Sequence, residues 1–420
     1  MSAKKSKSAL PLIIVGGGPS GLLAAIAASE KTNNIILLNK NPEIGKKIAS
    51  VPFDDFFFSE KLSAKKMAEG FGEKSKFAVP VFKAFGYTEL IKMFKKMNLV
   101  LEPDQFGRFK ADGLAGEGLS QVLLQEVISG GIQYRKSSRV TDIQVEKHKA
   151  SGVIANSSLI SARAVILATG SFSSPKFGAT KDGYNIAQKL GHRVIDLKPA
   201  LVDLITHEKY GNILAGEVIN DVKISIYYNG KQAHSDIGMI KFTPTGVSGP
   251  TILNRSAEII ENLVDKTVEL RLDFMPDQPR ETYETWLIKE FMSRHQIHIE
   301  KFLSRYFEDN VIKAIALESR IKLDRSIAHI TTLERKSLIH AIKDFRLTIK
   351  SHEPFNNTRG VLGGVSIEDI NPETCESRII KSLYFAGDVI DILGPYGGYN
   401  MQFAFSSGYV AGKAAAGSLN

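Results

Sequence analysis

The chain has 420 residues, of which 43% are hydrophobic and 24% are charged, and its formal net charge at pH 7 is +9. These values are ordinary for a folded protein, and the length predicts two or three structural units. The single cysteine, Cys375, excludes an internal disulfide and fits a reducing cytoplasm. No Cys/His cluster has the spacing of a zinc site, so we expect no structural metal.

The first predicted elements lie in the apolar stretch 10–29, LPLIIVGGGPSGLLAAIAAS. Its apolar character is compatible with a membrane span or a signal peptide. The glycines in its middle and the lack of a small-residue cleavage pattern argue against both. We interpret the stretch as a buried strand, a tight turn and a helix, and we expect a soluble, cytoplasmic protein with no membrane partner.

The turn in this stretch carries the pattern Gly16-x-Gly18-x-x-Gly21. The first glycine permits the tight turn, the second lets the backbone approach a pyrophosphate, and the third lets helix and strand pack closely. Pro19 and Ser20 begin the helix whose N-terminus attracts the phosphates. The pattern predicts a dinucleotide site, and the alternative is a glycine-rich turn with only a structural role.

A second strand, 35–39, ends at Asn39, where an acidic residue usually binds the ribose hydroxyls. Asparagine forms hydrogen bonds without the charge that makes such bonds stronger. The neighbouring Lys40 favours a 2′-phosphate and therefore NADP(H). This end of the chain alone does not choose between FAD and NADP(H).

Residues 61–96 contain nine lysines and three glutamates, a local charge of +6. An ordinary solvated helical face explains this composition. The alternative is a surface that binds an anionic partner such as RNA.

Two later segments extend the predicted nucleotide site. Residues 165–169 form an apolar strand that turns at Gly170, and Asp182 is a predicted helix N-cap in the segment that follows. Near the other end, a short strand closes on Gly387 and Asp388, and a helix begins near Tyr399 after a glycine-rich loop.

This C-terminal unit favours FAD. The Asp388 carboxylate is suited to accept hydrogen bonds from a ribitol chain. Backbone N–H groups of residues 398–402 at a helix N-terminus would stabilise the charge of reduced flavin. A strand and helix that merely complete the sheet are the alternative, which does not explain the loop glycines Gly394, Gly397 and Gly398.

The middle of the chain shows a change of period. Residues 193–273 contain alternating runs that predict a small antiparallel sheet or barrel. Residues 274–344 predict helices, with a capping box at Thr331 and Glu334, and 345–350 predict a strand returning to the first domain. None of the histidines at 192, 207, 234 and 352 has a partner at catalytic spacing, so we assign no catalytic residue.

A resemblance to a known family extends over nearly the whole chain. It rests on the motifs IIVGGGPSGLLAA, ILATGSFSSP, GATKDGYNIAQKLGH, KPALVDL, GMIKFTPTGVSGPTIL and RGVLGGVSIEDINPETCESRIIKSLYFAGDVIDILGPYGGYNMQFAFSSGYVAG. The chain resembles the bacterial two-dinucleotide-fold flavoproteins of the aminoacetone oxidase-like group, which includes bile-acid dehydroxylation reductases and ribosomal-RNA dihydrouridine synthases. The resemblance implies FAD as cofactor. It also implies an α/β fold in which a discontinuous Rossmann-like FAD-binding domain (1–192 and 345–420) is split by an antiparallel β domain (193–273) and a small helical unit (274–344).

Three departures from the family pattern affect the expected substrate side. Asn39 replaces an acid, and IASVPFDDFFFSE replaces a glycine-rich segment with Arg, Cys and Asn. Pro244 stands where the family has a histidine that could donate a proton. The phenylalanines Phe53 and 56–58 are candidates to line a substrate pocket, although core packing is the preferred interpretation.

The predicted activity is that of an FAD-dependent oxidoreductase, with NAD(P)H as a candidate electron donor. Candidate reactions are reduction of a C=C bond, such as uridine to dihydrouridine in ribosomal RNA, oxidation of a small amine, and reduction of a small enone. A non-catalytic nucleotide-binding protein is a further alternative, and the oligomeric state stays open. The predicted cofactor contacts are Gly16, Gly18, Pro19, Ser20, Gly21, Asn39, Lys40, Lys47, Val140, Ala168, Thr169, Gly170, Gly387, Asp388, Gly398, Tyr399, Asn400 and Met401.

Overall fold

The computed structural model of the protein describes residues 10–49, 56–111 and 116–417. The chain divides into two compact units. The first unit comprises Met1–Pro199 and Arg359–Asn420, and the second comprises Ala200–Thr358. The first unit is therefore discontinuous, and the second is inserted into it.

The elements are numbered along the chain. The strands are β1 (Leu12–Val15), β2 (Ile35–Leu38), β3 (Ser59–Glu60), β4 (Leu101–Pro103), β5 (Arg108–Ala111), β6 (Gln133–Arg135), β7 (Val140–Glu146), β8 (Lys149–Ala155), β9 (Ser158–Ser161), β10 (Ala164–Leu167), β11 (Val194–Ala200), β12 (Leu204–Thr206), β13 (Val218–Tyr228), β14 (Lys231–Phe242), β15 (Gly246–Ser248), β16 (Val268–Asp273), β17 (Phe345–His352), β18 (Gly360–Val365) and β19 (Leu383–Phe385). The helices are α1 (Pro19–Ser29), α2 (Lys46–Ala49), α3 (Ala64–Glu69), α4 (Ser75–Ala84), α5 (Tyr87–Lys96), α6 (Gly116–Ser129), α7 (Asp182–Lys189), α8 (Gly211–Leu214), α9 (Pro250–Asn262), α10 (Arg280–Ser293), α11 (Ile299–Leu303), α12 (Asp309–Ser319), α13 (Thr332–Lys343) and α14 (Tyr399–Gly417).

The first unit is built on a parallel sheet with the strand order β19-β10-β1-β2-β6. Every residue of β1, β2, β10 and β19 is buried, as expected for parallel strands that are covered on both faces. Because β1, β10 and β19 run in the same direction, their carboxyl ends lie at one edge of the sheet. The α/β fold class with a Rossmann-type sheet, predicted from the sequence, is confirmed.

Helices α1 and α14 pack directly on each other through glycines. A Cβ atom added at Gly408 would lie 2.2 Å from the carbonyl oxygen of Ser20, and one at Gly412 would lie 2.3 Å from that of Ala24. From the first contact to the second, the residue number increases by four in both helices, so the helices run in the same direction. Gly408 is nine residues from the start of α14, whereas Ser20 is one residue from the start of α1. At 1.5 Å per residue, the N-terminus of α14 therefore lies about 12 Å beyond that of α1 along the helix axis.

The second unit contains a closed barrel with the order β12-β15-β14-β13-β16-β17. The prediction that 345–350 return to the first domain is wrong, because β17 pairs with β12 and β16 and completes this barrel. The helices α10–α13 and the barrel share one hydrophobic core, which contains Leu287, Leu338 and Phe345. For this reason the boundaries predicted at 193, 274 and 345 differ from those of the structure. The capping box of Thr331 and Glu334 is present at the start of α13.

Residues 56–111 of the first unit form a small substructure in which α3, α4 and α5 connect β3 to the hairpin β4–β5. Phe56, Phe57 and Phe58 are 3%, 7% and 0% exposed. Phe56 and Phe58 pack in the hydrophobic core of the first unit, whereas the Phe57 ring is covered by Arg108 and Lys110. Phe53 lies outside the described residues. Across the part of the chain that the structure describes, no helix has both the length and the apolarity needed to cross a bilayer.

Candidate functional site

The three glycines of the first turn have different surroundings. Gly16 has a φ of +118°, and a Cβ there would lie 2.2 Å from the carbonyl oxygen of Ala168 at the end of β10. A Cβ at Gly21 would lie 1.8 Å from the Gly16 carbonyl oxygen. Gly18 has an ordinary φ of −87°, and no atom of the described residues lies within 4 Å of an added Cβ. The packing of the protein therefore requires the first and third glycines, whereas the second borders open space.

The N-terminus of α1 faces this open space without a compensating charge. Gly18 is the N-cap and makes no side-chain cap, Pro19 occupies the first turn, and that turn contains no acidic residue. Ser20 contacts the third segment of the site, because a Cβ at Gly387 would lie 2.5 Å from the Ser20 Oγ. Such a helix end presents N–H groups and a partial positive charge, which suit a phosphate.

Asn39 at the end of β2 holds the glycine turn in place. Its Oδ1 accepts a hydrogen bond from Gly17 N at 3.3 Å, and its Nδ2 donates to the carbonyl oxygens of Asn41 at 3.0 Å and Glu43 at 2.9 Å. An ionised acid at this position has no hydrogens to donate to the two carbonyls. The asparagine therefore suits this loop, and its Oδ1 retains acceptor capacity.

Lys40, the predicted 2′-phosphate contact, donates a hydrogen bond from its Nζ to the Thr180 Oγ1 at 2.7 Å. Burial lowers the pKa of Lys40, and the neighbouring charge of Asp182 opposes that change. Asp182 is the first residue of α7, so the N-cap prediction is wrong. Its carboxylate instead binds Arg139 at 2.8 and 2.9 Å, and these hydrogen bonds lower its pKa. Val140, which follows Arg139 in the chain, is buried in β7 opposite Ala155.

Lys47 and Asp388 meet at the centre of the site. The Lys47 Nζ lies 3.4 Å from the Asp388 Oδ2, 2.9 Å from the Ser173 Oγ and 3.3 Å from the Ser171 Oγ. Tyr184 donates a hydrogen bond from its hydroxyl to the Asp388 carbonyl oxygen at 3.4 Å. Burial, and then the charge of Asp388, raise the pKa of Tyr184. The two serines and Tyr184 are missing from the predicted contacts, although the first two belong to the SFSSP segment that the sequence already singles out.

Thr169 carries an unpaired hydroxyl in the same region. Its Oγ1 is buried and, among the described residues, has no hydrogen-bond partner. A Cβ at Gly183 would lie 1.9 Å from this oxygen, whereas Gly170, with a φ of +72°, has no described atom within 4 Å of an added Cβ. A buried hydroxyl without a partner costs about 1–3 kcal/mol, so a polar ligand group is its natural partner.

The loop before α14 is shaped by Gly397 and Gly398, which have φ values of +118° and +107°. A Cβ at Gly398 would lie 2.9 Å from the Ser59 carbonyl oxygen. The Asn400 side chain folds the loop, since its Oδ1 accepts from Gly394 N at 2.7 Å and its Nδ2 donates to Gly394 O at 2.9 Å. The Asn400 amide group therefore stabilises the conformation of the loop. The first turn of α14 contains no acidic residue.

Tyr399 and Met401 flank Asn400 on the first turn of α14. Burial, followed by the charge of Glu60 and a hydrogen bond to that carboxylate, raises the pKa of Tyr399 to about 12. Burial likewise raises the pKa of Glu60. Met401 is half-buried and packs against the core of the first unit.

Two further features of the sequence analysis are His192, to which no catalytic role was assigned, and the segment after α2. His192 is a satisfied core histidine, because its Nδ1 donates to Ala187 O at 3.2 Å and its Nε2 accepts from the Ser377 hydroxyl at 2.7 Å. Burial lowers its pKa. Of residues 48–60, which replace the glycine-rich family segment, 50–55 lie outside the described residues.

Taken together, the geometry suits an extended anionic ligand. Two helix N-termini, neither with an acidic residue in its first turn, lie about 12 Å apart along parallel axes, and the start of α1 contacts Gly387, the neighbour of Asp388. The open space at Gly18 and the unpaired Thr169 hydroxyl fit the diphosphate part of FAD. The residues present therefore fit this cofactor.

Comparison with known proteins agrees with this geometry. Residues 10–414 match the family described as HI0933-like protein Rossmann domain. The chain is 30% identical over 414 residues to the 3-dehydro-bile acid delta(4,6)-reductase of Clostridium scindens, which covers 96% of this chain and 98% of the relative. It is 26% identical to the ribosomal RNA dihydrouridine synthase of Haemophilus influenzae, over 94% of this chain and 96% of the relative.

A solved structure shows the same fold. The 3-ketosteroid delta1-dehydrogenase from Sterolibacterium denitrificans matches with a TM-score of 0.55 at 11% identity, over 98% of this chain and 100% of that chain. The resemblance to the flavoprotein group, predicted from the sequence motifs, is confirmed by the family match and the two relatives.

Proposed function

The chain belongs to the HI0933-like Rossmann family and is an FAD-dependent oxidoreductase, and on this premise we propose that it reduces a C=C bond conjugated with a carbonyl group. The names of both relatives describe this chemistry, on a bile acid in one case and on a uracil base in the other. The proposed reaction rests on these names, and the structural observation that supports a single extended FAD site is the parallel, offset packing of α1 and α14.

We propose the following roles for the chain's own residues. The N-terminus of α1 and Gly18 bind the diphosphate, and Thr169 donates its hydroxyl hydrogen to it. Asp388, held by Lys47, accepts hydrogen bonds from the ribitol chain. The bound flavin supplies the hydride. The N–H groups of 398–401 would stabilise the negative charge that reduction places on the ring, whereas Gln402 N already donates to the Gly398 carbonyl oxygen.

We propose uridine in ribosomal RNA as the substrate. The support is the name of two relatives, from Haemophilus influenzae and Escherichia coli, and the charge of the helices α3–α5 and their flanks. Eight of the nine lysines between residues 61 and 96 are exposed, while the ninth, Lys74, binds Asp391 at 2.5 Å. Such a surface suits phosphates, and the target base must leave its stack to reach a flavin.

A small enone is the second candidate substrate. It is favoured by the higher identity of 30% to the bile-acid reductase, which extends over 98% of that relative. We propose NAD(P)H as the electron donor for either substrate. Anaerobic mixing with NADH or with NADPH, followed by the loss of flavin absorbance, tests this choice.

A deletion strain tests the substrate. We expect ribosomal RNA from cells without this protein to lack one or more dihydrouridines by mass spectrometry. The intact gene restores them, whereas Asp388→Ala does not. Lys413→Ala, which removes a surface ion pair with Glu30 and a contact with the Tyr409 ring, serves as the matched control and restores them. An unchanged dihydrouridine content, together with turnover of a conjugated dienone by the purified protein, contradicts the RNA substrate and supports the small enone.

A further inference from the structure

The turn between β4 and β5 is held rigid by one side chain. The Asp104 Oδ1 accepts hydrogen bonds from Phe106 N and Arg108 N, both at 2.9 Å, and the Oδ2 accepts from Arg108 Nε at 2.8 Å. Gly107 N also donates to the Asp104 carbonyl oxygen at 2.9 Å. The turn therefore has a fixed shape before any partner binds.

This turn displays an aromatic ring beside a guanidinium group. Phe106 is 65% exposed, and the Arg108 guanidinium carbon lies 5.0 Å from its ring centroid. The same carbon lies 4.3 Å from the centroid of the Phe57 ring, against which the Lys110 Nζ lies at 4.5 Å. A single exposed apolar side chain is normal. An exposed ring on a rigid turn, next to a stacked guanidinium plane, is the arrangement on which nucleic acid bases stack.

The turn lies between the loop that leads to α14 and the lysine-rich helices. The Arg108 Cδ is 3.6 Å from the position of an added Cβ at Gly397, and the Phe57 ring contacts that of Tyr396 at 6.2 Å between centroids. On the other side, Lys61 N donates to the Gly107 carbonyl oxygen at 2.7 Å. A ligand on Phe106 would thus have the proposed flavin end on one side and the lysines on the other.

The local charge decides what the turn binds. Arg108 is paired with Asp104 at 2.7 Å, and Glu60 is its cross-strand neighbour, so the two carboxylates offset the charges of Arg108 and Lys110. A nearly neutral aromatic surface attracts a phosphate weakly but stacks well on a base. The phosphates of the same strand would contact the exposed lysines of α3–α5.

We propose that Phe106, supported by Arg108, is a stacking site for an unpaired base of the RNA that flanks the reduced uridine. This inference rests on the proposed RNA substrate and names the residues that recognise it. Phe106 and Arg108 act in binding and register, and neither is assigned a role in hydride transfer.

Fluorescence anisotropy with a short, labelled, uridine-containing single-stranded RNA tests the proposal on the flavin-loaded protein. Phe106→Ala is expected to weaken binding about ten-fold at fixed salt, because stacking of one base is lost. The dependence of affinity on potassium chloride concentration should stay unchanged, since no phosphate contact is removed. Phe106→Trp should restore binding, and the flavin absorbance should be the same in all variants.

Matched controls are present in the second unit. Arg271 stacks on Tyr227 at 3.9 Å and binds Glu269 at 2.9 Å, which reproduces the environment of Arg108 at another place. Leu333 is 80% exposed, which makes Leu333→Ala the control for the loss of an exposed apolar side chain. Arg108→Gln should weaken RNA binding, whereas Arg271→Gln and Leu333→Ala should not.

Equal RNA affinity of Phe106→Ala and the unchanged protein would overturn the proposal, as would an absence of RNA binding by the unchanged protein. A raised KM for a small dienone in Phe106→Ala, with unchanged RNA affinity, would assign the turn to an apolar small substrate and also overturn it. Weakened RNA binding by Phe106→Ala together with an unchanged dihydrouridine content in the deletion strain would support the stacking site and contradict the proposed substrate. The two proposals therefore fail separately.

Discussion

At the scale of single residues, the glycines of the first turn separate folding from binding. Gly16 is required by its own backbone conformation and by its contact with the end of β10, both of which are properties of the protein alone. Gly18 has neither constraint, because its φ is ordinary and the space beside it is open. If a ligand occupies that space, the two positions must respond differently to the same substitution.

Gly16→Ala and Gly18→Ala form a matched pair. Gly16→Ala should lower the free energy of unfolding by at least about 2 kcal/mol, because alanine at positive φ is strained and its Cβ meets a backbone oxygen. Gly18→Ala should change that free energy by less than about 0.5 kcal/mol but raise the dissociation constant for FAD about ten-fold. Urea unfolding followed by circular dichroism, and titration with FAD, measure the two quantities. Normal FAD affinity in Gly18→Ala would show that no ligand lies against this residue.

Asn39 shows how a substitution that departs from a family pattern is accommodated. The sequence indicates only the loss of a charge at a position that usually binds ribose. In the structure, the amide hydrogens bind two carbonyl groups of the following loop, a function that a carboxylate does not perform. No sequence signal identifies these partners, since they are backbone atoms.

At the scale of elements, the contact of α1 with α14 fixes the spacing of the two helix N-termini. Gly408 and Gly412 permit an approach that any larger residue would prevent, because an added Cβ meets a carbonyl oxygen in each case. The registry of the two helices therefore depends on these glycines. The sequence shows them only as part of SSGYVAG, within a helix of small residues.

Gly408→Ala tests this contact. The added methyl group would force the helices apart, and we expect a loss of about 2 kcal/mol in the free energy of unfolding together with weaker FAD binding. Lys413→Ala, on the same helix, removes the exposed pair with Glu30 and should cost less than about 1 kcal/mol. Thermal unfolding and flavin retention during gel filtration measure both effects. Equal behaviour of the two variants would contradict the role given to the helix contact.

At the scale of the whole molecule, the sequence predicted the parts whose signals are local. The strand, turn and helix at 12–29 and the strand–glycine–helix order at the C-terminal end follow from periodicity and glycine positions. The discontinuous first unit was implied by the family resemblance.

The predictions that failed depend on distant partners. The alternation of Phe345, Leu347 and Ile349 shows a strand with one buried face, but it does not show which sheet that face joins. Pairing with β12 and β16 places the strand in the barrel, and these partners are far away in sequence. The stacked turn at Phe106 was missed for a similar reason, since Phe57 and Tyr396 come close only in the folded chain.

Hydrogen exchange with and without FAD tests the central claim, that distant segments of the chain bind one extended FAD, most directly. On addition of FAD, we predict slower amide exchange at residues 16–21, 168–170 and 387–402. The three segments should become protected over the same range of FAD concentration, with about one FAD bound per chain. Protection confined to 16–21, with 398–402 unchanged, would contradict the account and indicate a ligand that stops at the first helix.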